Sequence, residues 1–203
     1  GQRVLADLND VENAASLPSV PKGVVRINSS SSTGQKLLVP LVARLMQTYP
    51  ELVLDLSFTD HVVDLMEAQA DIAIRWGKLP SSDVVARLLG YTRQVIVASP
   101  VYLAARGRPQ EPDDLAHHIR IGWNYQRTVP HWPFTVDGRA VEVPIGEALR
   151  VNDGDVMRNM AVEGAGMARL SLFHAWNDIA ANRLQVVLEP FNTGVLEPIH
   201  AVY

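Results

Sequence analysis

At 203 residues, with 47% hydrophobic and 20% charged side chains, the chain has apolar material for one globular domain or two small ones. Its formal net charge of −4, from 18 basic against 22 acidic residues, argues against a surface that grips nucleic acid by neutralising phosphates. The lack of cysteine excludes a disulfide frame, a thiolate metal site and a cysteine nucleophile, and no apolar run is long enough to span a bilayer. The opening GQRVLADLNDVENAA has no signal-peptide core, so a cytoplasmic location is expected.

In chain order, Val4, Leu5, Leu8, Val11 and Ala15 fall at helical spacing, and SLPSVPKG ends that helix with two prolines and a glycine. VVRI then opens a strand, LVLDLSF gives a second over Leu52 to Phe58, and DIAIRW a third over Asp71 to Trp76. Helical patterns separate them, over Gln35 to Tyr49, with a broad apolar face from Leu37 to Met46, and over Asp60 to Ala68. This alternation predicts parallel βαβ units. Further on, RQVIVASP reads as a buried run, VYLAARG as a short helix closed by Gly107, and EPDDLAHH as another short helix. After irregular pieces over Gly122 to Arg139, GEALRV is a strand and NDGDVMRNMAVEGAG an amphipathic helix capped by Asn152 or Asp153. MARLSLF, HAWNDIAAN, RLQVVL and EPIHAVY complete a second α/β unit as strand, helix, strand, strand.

The run SSSSTGQK sits where the first strand enters the first helix. It is not a phosphate loop: position 29 is Ser, Gln35 separates Gly34 from Lys36, and Leu37 follows the lysine. The pair Gly164 and Gly166 ends a helix rather than opening one, with Arg169 where a third dinucleotide-binding glycine would stand. No G-x-S-x-G elbow, no H-E-x-x-H and no isolated carboxylate pair marks a catalytic centre, so the chain is not expected to be an enzyme and no cofactor or metal is expected. A binding reading of the serines survives. Hydroxyls and free amides at a helix N-terminus make a donor-rich seat for an anion or carboxylate, although a single capping serine among solvated neighbours explains the run equally well. VNDGDV is a second such junction, so two helix N-termini, one per α/β unit, can face one cleft.

The run from GVVRINSSSSTGQKLLVPLVARLMQTYPELVLDLSF through DHVVDLMEAQADIAIRWG to VVARLLGYTRQVIVASPVYLA resembles the effector-binding domain of LysR-type transcriptional regulators. EPDDLAHH, VNDGDVMRNMAVEGAGMARL and NRLQVVLEP extend the resemblance over Gly23 to Tyr203. It implies an α/β fold of two Rossmann-like subdomains joined by two crossover strands, like type II periplasmic binding proteins. The expected first subdomain is 23–96 plus 198–203, the second 97–197, and 1–22 is the end of a linker helix and hinge from a winged helix-turn-helix that this chain lacks.

The resemblance places a small anionic or aromatic carboxylate effector in the cleft. The contacts carried over are Ser29, Ser31, Ser32 and Thr33, with Ser32 at the family's usual Ser or Thr, then Thr59, Asp60, Arg75, Trp76, Trp123, Asn124, Asn152 and Ser171. Where many members read G-I-A-L-L-P, this chain has Gly166-Met167-Ala168-Arg169-Leu170-Ser171, which brings a charge and a hydroxyl toward the cleft. The implied partners are the effector, a second copy of the chain in a homodimer or tetramer, and promoter DNA through the absent domain only, with no membrane. A periplasmic solute-binding protein of an ABC-type uptake system is the alternative with the same architecture.

Overall fold

The computed structural model describes residues 21–60, 70–77, 79, 85–124 and 131–203. The expected tail helix over Val4 to Ala15, and all but the first residue of the helix expected from Asp60 to Ala68, lie outside the described residues.

Strand β1 (Gly23–Ser29) is followed by a continuous helix, α1. It opens with one α-turn (Ser31–Thr33), loosens into a π-helical stretch (Gly34–Leu38) and continues as an α-helical body (Val39–Thr48). The helix therefore begins four residues before Gln35. Ser30 is the last extended residue, and its carbonyl accepts from the Gly34 amide at 2.9 Å, so the serines are wound into the first turn rather than left as a loop. Gly34 has no room for a side chain, since a Cβ there would clash with the Phe58 ring. This close approach seats the helix on the next strand.

Strands β2 (Leu52–Phe58) and β3 (Ile72–Trp76) flank β1, both parallel to it. The run expected to begin at Arg93 is the end of a longer strand, β4 (Ala86–Ala98), whose first half pairs antiparallel with the last strand of the chain, β11 (Leu196–Val202). Its second half pairs antiparallel with β9 (Met167–Ser171) and β10 (Gln185–Val187), so β4 joins the two α/β units.

The second unit continues through α2 (Pro100–Arg106), a 3-10 turn (Pro112–His117) and β5 (Arg120–Trp123). The span expected to be irregular, Gly122 to Arg139, holds β6 (His131–Val136) and the turn of a hairpin whose second strand, β7 (Arg139–Pro144), begins at its last residue. Its turn is Asp137-Gly138 with φ of 49° and 75°, the left-handed pair that a tight two-residue hairpin needs. Then come β8 (Leu149–Val151), α3 (Gly154–Val162), β9, α4 (Leu172–Ala180), β10, a 3-10 turn (Glu189–Phe191) and β11. The sheet order is β2-β1-β3-β11-β4-β9-β5-β8, with β10 also on β4.

Alternation along β4 builds two cores. Val95 and Val97 face α3 and α4 with Met157, Ala161 and Ala175, whereas Ile96 and Ala98 face Tyr102, Leu115, Trp132 and Phe134. The period-two direction of strand side chains produces this division.

Candidate functional site

In a parallel sheet, ligands lie beyond the C-terminal ends of the strands. Every residue proposed from the sequence stands at such an end. Ser29 closes β1, Thr59 and Asp60 follow β2, and Arg75 and Trp76 close β3. Trp123 closes β5 with Asn124 after it, Asn152 follows β8, and Ser171 closes β9.

The serine run divides by burial. Ser29 is fully buried and its Oγ donates to the Ser30 carbonyl at 3.1 Å. Thr33 is 1% exposed, and its Oγ1 lies 2.8 Å from the Ser30 hydroxyl. These two brace the turn from inside, while Ser31 and Ser32 are half-buried in the first turn of α1. The Thr59 amide donates to the Ser29 carbonyl at 2.9 Å, which ties the end of β2 to the end of β1 and sets the position of Asp60.

Asp60 is the centre of the arrangement. Its Oδ1 accepts from the backbone N–H of Ser31 at 2.9 Å, at the start of α1, and its Oδ2 from that of Gly154 at 2.7 Å, at the start of α3. Both are first-turn amides, which have no partner inside their own helices, and one carboxylate satisfies one from each half of the molecule. Gly154 is buried: a Cβ there would meet His174 Cε1 at 3.4 Å, the Asp60 Oδ2 at 3.5 Å and Trp123 Cη2 at 3.5 Å. These are ordinary van der Waals distances, so the three groups surround the Gly154 backbone with room for one methyl. Of the two expected caps for α3, Asp153 is the one used, accepting from the Val156 amide at 2.8 Å.

A second link crosses beside the first. Gln35 Nε2 donates to Asp155 Oδ2 at 2.7 Å, from the π-helical stretch of α1 to the first turn of α3. The other Asp155 oxygen accepts from His174 Nε2 at 3.0 Å. Burial pushes the pKa of His174 down against the pull of the Asp155 hydrogen bond and charge, so the ring is neutral at neutral pH and carries its proton on Nε2. Arg158 Nε lies 3.5 Å from the same Asp155 oxygen, and its Nη1 donates to Asp178 Oδ2 at 2.6 Å. Gln35, Gly154 and Asp155 are absent from the contacts expected from the sequence. NDGDV marked the junction, but nothing in its pattern says that Asp155 reaches α1.

Arg75, Trp76 and Ser171 belong to neighbouring places. Arg75 Nη1 donates to the Ile74 carbonyl at 3.2 Å, and burial lowers the pKa of its guanidinium. Trp76 is 45% exposed at the end of β3. Ser171 joins a polar cluster on the joining strands, where Gln94 Nε2 donates to the Ser171 Oγ at 3.1 Å and to Glu197 Oε2 at 2.9 Å. Arg169 lies in the same region: burial lowers its pKa and the Glu197 charge opposes that shift. Asn124 donates its backbone N–H to the Val151 carbonyl at 2.9 Å, and Asn124 and Asn152 are both exposed. Among the described residues, no group of three His, Asp or Glu is placed to hold a metal ion, and no helix is long and apolar enough to cross a membrane.

A family described as "LysR substrate binding domain" matches residues 18–203. The HTH-type transcriptional regulator CrgA of Neisseria meningitidis (serogroup C, strain 8013) is 32% identical over 203 residues, covering 100% of this chain and 68% of that protein. Among solved structures, the regulatory domain of CrgA superposes with a TM-score of 0.84 at 32% identity, covering 90% of this chain and 89% of that one. Full-length AphB, a Vibrio cholerae virulence activator, shares the fold with a TM-score of 0.79 at 21% identity, covering 100% of this chain and 69% of that one.

Proposed function

We propose, from the premise that this chain belongs to the LysR substrate-binding domain family, that it senses a small carboxylate-bearing effector in the cleft between its two α/β halves. The fold is the type II periplasmic-binding-protein-like arrangement of LysR regulatory domains. One observation carries the proposal: the first-turn amides of Ser31 and Gly154, one from each half, point at a single carboxylate at 2.9 and 2.7 Å. Trp123 stands against the same point and offers an apolar face for the body of a ligand. An effector held there touches both halves, so it biases how they sit together and hence how subunits carrying DNA-binding domains are spaced. Promoter DNA is then contacted through a separate N-terminal domain, and the relatives' description as HTH-type regulators favours this over solute uptake.

A thermal-shift screen against aliphatic, amino and aromatic acids tests the reading. A ligand at about 100 times its dissociation constant adds about 2.7 kcal/mol of stability. Ser32→Ala, which removes one hydroxyl from the first turn, is expected to weaken the hit by about fivefold, the scale of one hydrogen bond. Unchanged affinity in that variant would count against the serine turn as a ligand contact.

We further propose that the chain self-associates through α1 and β2. Val39, Leu41 and Met46 on α1 and Val53 on β2 are exposed, at 49%, 58%, 37% and 55%. Leu41→Glu is expected to lower the sedimentation coefficient from that of a dimer to that of a monomer. A wild-type chain that sediments as a monomer would contradict this.

A further inference from the structure

Asp60 occupies the place where the carboxylate of an effector would bind. It is not a local cap: it follows β2, 29 residues from Ser31 and 94 from Gly154, yet it accepts the first-turn amides of two helices that belong to different halves. The His174 ring stands close by: a methyl built on Gly154 would be in ordinary van der Waals contact with both groups, 3.5 Å from the Asp60 Oδ2 and 3.4 Å from the His174 ring. The Gln35–Asp155 hydrogen bond at 2.7 Å crosses the same gap independently. Two links, made by three hydrogen bonds, thus draw α1 and α3 together around the protein's own anion.

We propose that Asp60 is a tethered competitor, an autoinhibitory contact that holds the halves together without effector and that an anionic effector must displace. The inference rests on the cleft reading above and deepens it. A covalently attached carboxylate competes at an effective concentration in the millimolar range or above. The observed affinity of a free carboxylate is its intrinsic affinity reduced by the fraction of molecules in which Asp60 has left the two amides. The tether makes the domain insensitive to dilute simple carboxylates such as acetate. An effector overcomes it by adding contacts that Asp60 lacks, foremost with Trp123.

The test compares the wild type with Asp60→Ala and Asp60→Asn, using sodium acetate as the probe and sodium chloride at equal ionic strength as the control. The wild type is expected to melt at the same temperature in both salts. Asp60→Ala is expected to melt lower in chloride and to recover in acetate, because free acetate takes the vacated amides. Equal melting of Asp60→Ala in the two salts, or an acetate response of the wild type as large as that of the variant, would overturn the proposal. If Asp60→Ala does not fold, Asp60→Asn keeps the side-chain volume while removing the charge. A carboxylate found in the screen should then bind Asp60→Asn about tenfold tighter than the wild type, a change on the scale of one charge-assisted hydrogen bond. Equal or weaker binding would mean that Asp60 contacts the effector instead of competing with it, and would overturn the tether alone. A screen without hits in wild type and variants, alongside acetate recovery of Asp60→Ala, would sink the effector cleft and leave the seat of Asp60 standing.

Discussion

Asp178→Ala is expected to cost about 3–5 kcal/mol of folding stability, the range for removing one partner from a buried ion pair. Asp178 is 1% exposed on α4 and binds two arginines, Arg158 of α3 through Nη1 at 2.6 Å and Arg183 through Nε at 2.7 Å. The Arg158 side chain is itself only 17% exposed, so alanine leaves a largely buried guanidinium without its main counter-charge. The consequence reaches the site, because Arg158 also stands beside Asp155, which holds Gln35 of α1 and His174 of α4. Acid should mimic the substitution. Burial alone would raise the pKa of Asp178, but its hydrogen bonds to Arg158 and Arg183, with their charges, outweigh burial and hold it below the ordinary carboxylate value. A depressed folded pKa contributes stability that is present above the unfolded value of about 3.9 and is lost as pH falls through the folded value. Urea unfolding of the wild type and of Asp178→Asn across the acid range checks this. The variant should lose less stability on acidification than the wild type, and parallel losses would contradict the assignment.

Phe134→Ala is expected to cost about 3–5 kcal/mol, the cost of emptying a large aromatic site in a core. For a chain of this size that corresponds to a fall of about 10 °C in melting temperature. Phe134 is 1% exposed on β6, in the cluster that holds Ile96, Ala98, Tyr102, Leu115, Trp132 and Met167. Its strand also bridges to Asn192, close to the chain's return into β11. The hairpin therefore covers one face of the sheet in the second unit, the face that carries Ile96 and Ala98, and a loss below about 1 kcal/mol would show it to be a surface addition instead.

The same hairpin shows where reading the sequence falls short. Its strands HWPFTV and RAVEVP alternate, and Asp-Gly between them is a strong hairpin signal, but each run also carries a proline, which argues against a strand when the sequence is read alone. Both prolines sit in a two-stranded ribbon, where a missing donor is tolerated at an edge. The parallel strands were legible because β1, β2, β3 and β9 are short apolar runs bounded by turns and helices. The length of β4 was not, because Ala86 to Thr92 gains its strand character from β11, which arrives more than a hundred residues later. The family resemblance over Gly23 to Tyr203 agrees with the match over residues 18–203.

For the site, sequence placed both helix N-termini in one cleft and put Asp60 and Trp123 there. It did not find Gln35, Asp155 or Gly154. Helix and strand periodicities report neighbours within an element, whereas the Gln35–Asp155 bond spans 120 residues and Asp60–Gly154 spans 94. Such pairings are products of the topology: β1 and β2 stand at one end of the strand order and β5 and β8 at the other, and the fold brings the starts of the helices that follow β1 and β8 together. Asp60 is a ligand contact only as the family resemblance implies it; that it accepts the first-turn amides of both helices is visible only once both are in place.

The central claim is that effector binding takes place at the junction of α1 and α3, beside Trp123. The most direct measurement is a titration of the 15N-labelled tryptophan indoles with a carboxylate identified by thermal shift. The four tryptophans lie in distinct places, with Trp132 buried in the hairpin core and Trp176 on an apolar groove beside Leu172, Phe173 and Leu196. The account predicts that the Trp123 resonance moves in proportion to occupancy while Trp132 and Trp176 stay in place. Movement of Trp176 with Trp123 unchanged would put the effector in that groove and contradict the cleft.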